Sequence, residues 1–107
     1  MSHELAEKTA GLASRVNNLA VNQTGDASRQ LLEEQDRLIK LEMVAIVKDL
    51  NGEHAAYKKA IAGLNKAIKA VDDADKDIAK VADAITLVKK TIDLITKAIE
   101  TAAVAGV

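Results

Sequence analysis

Cysteine, proline, tryptophan and phenylalanine are all missing from these 107 residues, and Tyr57 is the only aromatic side chain. Without cysteine there is no disulfide and no thiolate metal site, and the redox compartment is left open. Without proline nothing interrupts a helix from within, where that residue costs about 3 kcal/mol. An excess of one charge is missing too. The formal net charge is −1, so no basic field neutralises phosphates and nucleic acid is not an expected partner. No run approaches the roughly 18 apolar residues of a membrane span. The early charges of MSHELAEKTAGLASR leave no unbroken apolar stretch for an ordinary signal peptide. A cytoplasmic protein is expected, with leaderless secretion as the alternative.

What remains is 49% apolar, rich in Leu, Ile and Val and above all in alanine, which supplies 20 residues; Lys, Glu and Asp make up most of the rest. That composition predicts a single all-α domain, 1–107, built as an antiparallel helical hairpin or a bundle of three to four helices. Leu5, Leu12, Val16 and Leu19 recur at helical spacing and predict a helix over 3–21, with Ser2 as its N-cap. Asn22, Thr24, Gly25, Asp26 and Ser28 then mark a loop or kink, with Thr24 or Asp26 placed to cap the next helix, over about 27–50. Asn51 and Gly52 stop it as a helical turn. Their flanks lack the alternation of a β-hairpin, so Gly52 is expected in the left-handed position that ends a helix.

The last predicted helix, 53–103, is long and coiled-coil-like. Tyr57, Ile61, Leu64, Ile68, Val71, Ile78, Val81, Ile85, Val88, Ile92, Ile95 and Ile99 follow one another by steps of four and three. The seam is broken by VDDADKDI, where Asp75 falls inside and the phase slips, so Asp72, Asp73 and Asp75 mark either an overwound helix or a break near 72–75. If Asn51-Gly52 is the bend of a hairpin, the 22–26 loop lies opposite 77–81. Glu33, Glu34 and Asp36 would then face Lys66 and Lys69, and Arg29 would face Asp73 and Asp75. Two architectures fit: an extended hairpin around a helix of roughly 75 Å, and a compact four-helix bundle bent at both breaks. The Asp cluster holds neither glycine nor proline to compel a turn, which favours the extended form.

Chemistry is sparse, and no enzyme activity, cofactor or metal is expected. His3 and His54 lack helical metal-motif spacing. Asp73, Asp75 and Asp77 alternate like the start of a calcium loop, but Ile78 and Ala84 stand where that loop needs glycine and glutamate. The amphipathic C-terminal half carries Lys80, Lys89, Lys90 and Lys97 on its polar face, which makes a lipid-surface or pore-component protein the runner-up reading. Leu50-Asn51-Gly52 stands where the small secreted ESX-type hairpin proteins carry Trp-x-Gly. The tryptophan and the family's C-terminal Tyr-x-x-x-Asp/Glu are absent, so what resembles that family is the gross architecture and one glycine, which leaves export as the alternative to a cytoplasmic setting.

The segment LIKLEMVAIVKDL, 38–50, is apolar on nearly every side, more than one partner helix covers. Its surplus predicts an interaction surface of Leu38, Leu41, Val44 and Val47, with Ile39, Met43, Ile46 and Leu50 packed inside. The expected function is therefore non-enzymatic: self-association, as a homo-oligomer such as a dimer, and binding to a helical protein partner as an adaptor or assembly component.

Overall fold

Three of the four α-helices described carry an acidic residue in the first turn, where the exposed amide end favours it, and the third in chain order is capped instead by a side chain. In the computed structural model, which describes residues 3–104, α1 spans Glu4–Val21, with Glu4 and Glu7 in its first turn, favourable to the helix dipole. His3 occupies its N-cap position without a side-chain bond; the predicted cap, Ser2, lies outside the described residues. After Asn22 the chain reverses through Gln23 and Thr24 into α2, Gly25–Val47. Neither predicted cap bonds the helix start: Thr24 makes no capping bond, and Asp26 pairs with Arg29 at 2.6 Å.

The glycine that needs its freedom is Gly25, not Gly52. Among the described residues Gly25 alone has a positive φ, 64°. α2 ends at Val47, before the Asn-Gly pair, because Lys48 turns extended and Leu50 pairs with Ala103. The Asn51 amide donates to the Ala102 carbonyl at 2.8 Å and the Val104 amide to that of Asp49 at 2.9 Å. Asn51 Oδ1 then accepts the Glu53 amide, and His54 Nδ1 accepts that of Ala56, capping α3. Strain expected at Gly52 belongs at Gly25. A Cβ there meets no heavy atom within 4 Å, so Gly25→Ala should cost about 1 kcal/mol through backbone conformation alone. Urea denaturation checks this, and a neutral variant would contradict it.

The predicted 53–103 helix is two helices. α3 spans Ala55–Lys76, one tight turn covers Ile78–Lys80, and α4 spans Val81–Thr101. The break falls at Asp77, beyond 72–75. No glycine is needed there because Asp77 itself is extended and its carboxylate accepts the Ala79 amide at 3.1 Å. The phase slip in the seam is this reversal. Ile78, a seam residue by spacing, is left 79% exposed at the corner.

Among the described residues these four helices form a bundle in which α1 packs against α2 and α3, and α4 against α3 and α2. The two hairpins lie on each other with α1 parallel to α3. Tyr57 Oη accepts the Leu5 amide at 3.0 Å, Arg15 pairs with Asp72 at 3.2 Å, and Asn22 Nδ2 donates to Asp75 at 3.0 Å. The radius of gyration is 13.8 Å and the extents are 46 × 20 × 17 Å, the compact bundle rather than the extended hairpin. Both reversals sit at one end, as the opposition of 22–26 and 77–81 requires: Gln23, Thr24, Ile78 and Val81 line one groove. The antiparallel α2/α3 register does not exist, because those helices lie across the diagonal. Asp36 pairs instead with Lys40, Lys69 with Asp73, and Arg29 with Asp26. The core runs through Leu5, Leu12, Leu31, Leu38, Leu64 and Ile95.

Candidate interaction surface

Among the described helices α2 alone has two apolar faces. Leu31, Glu34, Leu38 and Ala45, spaced by three, four and seven, point inward and are buried. Leu32, Ile39, Met43, Ile46 and Val47 fall within an arc of roughly 100° on the other side of an ideal helix. All five are exposed, Met43 at 64% and Val47 at 80%. The stripe runs about 22 Å at 1.5 Å per residue. Lys40, ion-paired to Asp36 at 2.9 Å, borders it on one side, and half-buried Glu42 on the other.

This divides the four residues expected to form the surface. Leu38 is 0% exposed and belongs to the core, and Leu41 is partly buried against it, whereas Val44 and Val47 reach solvent. Of the set expected inside, only Leu50 is buried; Ile39, Met43 and Ile46 face outward. The inversion follows from the register. α1 and α4, not α3, pack on α2 and fix which of its sides faces inward. The heptad Leu31, Leu38, Ala45 was the available signal, and it also places Glu34 on the inner face.

Glu34 is the residue that sequence reasoning put on the surface and the fold put inside. It is 2% exposed, and neither carboxyl oxygen has a hydrogen-bond partner. Burial pushes its pKa from the ordinary 4.5 up to about 7, against a partial pull downward from Lys89 and Arg37.

The remaining candidates stay apart. Asp72 pairs with Arg15, Asp73 with Lys69, Asp75 accepts from Asn22 and Asp77 caps the tight turn, so the acidic run forms no common loop. Among the described residues no three His, Cys, Asp or Glu side chains converge to hold a metal ion. None of the described helices is long and apolar enough to cross a membrane. The apolar face of α4, from Val81 to Ile99, is buried in the bundle rather than offered to lipid.

These features define a small all-α bundle with an unpartnered apolar stripe on its second helix. Comparison with protein-family models, with curated proteins and with solved structures finds no match to this chain.

Proposed function

We propose that this protein works without catalysis, by self-association and by binding helical protein partners through the outer stripe of α2. The observation that carries the reading is the exposure of Leu32, Ile39, Met43, Ile46 and Val47 along one side of one helix. Scattered apolar residues on a surface are ordinary, but apolar residues gathered on one side of a single helix mark an interface, here densest from Ile39 to Val47 because exposed Asp36 lies between Leu32 and Ile39. It exposes on the order of 500 Å² per copy, so a symmetric pair would bury roughly 1,000 Å², about the lower limit for a specific interface. With a net charge of −1, nucleic acid is not among the proposed partners. The setting that suits the reading is the cytoplasm, with leaderless export as the second choice. Coating of a lipid surface has less support, because the amphipathic face of α4 is already packed and the α2 stripe holds no aromatic anchor.

Light scattering and sedimentation at high micromolar concentration test this. The wild type should be a dimer or larger, and Met43→Glu should bring it to a monomer with its helical circular dichroism intact, since an unpaired interfacial charge costs several kcal/mol. A wild type that is monomeric throughout would remove self-association and leave the stripe for a different helical partner.

A further inference from the structure

Two features set α2 apart, and they lie on different faces. Inside, Glu34 sits one turn from both Leu31 and Leu38, in the core row, with two carboxyl oxygens that nothing bonds. Outside are the five exposed apolar side chains. Docking this helix therefore buries an unsatisfied acid, a conflict between local sequence and fold that α1, α3 and α4 do not share among the described residues, while the outer stripe stays in water docked or released.

The charged groups around Glu34 do not resolve the conflict. Lys89 on α4 and Arg37 on α2 itself act on it at a distance, and neither makes an ion pair with it. On α1, Lys8 bonds Asn65 and Arg15 bonds Asp72, both on α3. α3 itself lies across the diagonal. At both ends of α2 the backbone leaves helical geometry, at Gly25 with φ 64° and at Lys48, which is extended, and these are the points about which the helix could swing.

We propose that α2 is a pH-gated latch, docked while Glu34 keeps its proton and released from α1 and α4, about Gly25 and the extended segment after Val47, when that proton is lost to water. No other group is needed for the step. The neutral carboxyl gives one proton to solvent, and the carboxylate is hydrated once the helix has left. The docked carboxyl titrates near 7 and a released one near 4.5, so docking is favoured most below pH 4.5 and weakens until pH passes 7. The latch does not depend on the outer stripe finding a partner.

Hydrogen exchange on the full chain, corrected for the intrinsic pH dependence of amide chemistry, reads this helix by helix. Between pH 5 and pH 9, α2 protection should fall fifty- to a hundredfold, the ratio set by the two titration points. α3, whose neighbours are α1 and α4, should fall far less. Glu34→Gln, which imitates the protonated acid, should hold α2 protection level; Glu34→Met serves if the amide variant does not fold. Equal loss of protection in all four helices would mean ordinary global destabilisation and overturn the latch. So would flat α2 protection in the wild type, or an undiminished pH response in the variant.

Discussion

Replacing Glu34 by leucine should stabilise the protein most in alkaline solution, with a pH-dependent gain of about 3 kcal/mol. The figure follows from a carboxyl raised from 4.5 to about 7, at 1.36 kcal/mol for each unit. Because the folded-state value lies above the unfolded one, the stability associated with the protonated acid is complete below pH 4.5. It is lost as pH climbs through 7. Leucine has no proton to lose, so the difference in unfolding free energy between variant and wild type should widen from pH 4 to pH 9. Surface carboxylates titrate alike in both proteins and cancel. A smaller, pH-independent gain comes from removing two buried oxygens that no donor satisfies. Urea denaturation at the two pH values decides the matter: a gain of the same size at both would mean that the carboxyl is not held unpaired in the core.

The second large effect separates the two faces of α2. Leu38→Ala should cost 2–5 kcal/mol, since its fully buried side chain would leave a cavity. Val47→Ala, nine residues on and 80% exposed, should fall within about 0.5 kcal/mol when measured at concentrations too low for association. These two residues were expected to share one surface, so the contrast tests the phase of the helix directly. If both substitutions are mild, α2 is not seated as described.

The helical class and the inner seam of the second half were legible because steps of three and four from Tyr57 to Ile99, kept on either side of the slip at VDDADKDI, are the mark of a helix with one buried face. Nearly all of those residues are buried or half-buried. Ile78 is the exception, and it marks where periodicity fails as a guide. Spacing alone does not distinguish a phase slip within a helix from a reversal of the chain. The choice at Asp77 turns on a side chain bonding its own backbone, an option open to any aspartate and taken only where the second hairpin can fold back. Charge pairing misled for a related reason. Exposed ion pairs contribute so little that opposite charges can be matched in several registers, and here most resolve within a single helix, as Asp36 with Lys40 and Lys69 with Asp73 do. The α2 surface suffered from abundance: with apolar residues all round, no sequence pattern says which side a neighbour takes.

The pairing of Leu50 with Ala103 bears on the order in which the chain assembles. Its two partners are some fifty residues apart, and the whole α3–α4 hairpin lies between them. Closing so long a loop directly is entropically unfavourable, whereas each hairpin needs only a short reversal to bring its own helices together. The short reversals are therefore expected first on the path, and the bond from the Asn51 amide to Ala102 after α4 has folded back along α3. In the finished molecule that late contact ties the end of the last helix to the connection between the two hairpins, so the step that completes folding also secures the join on which both halves depend.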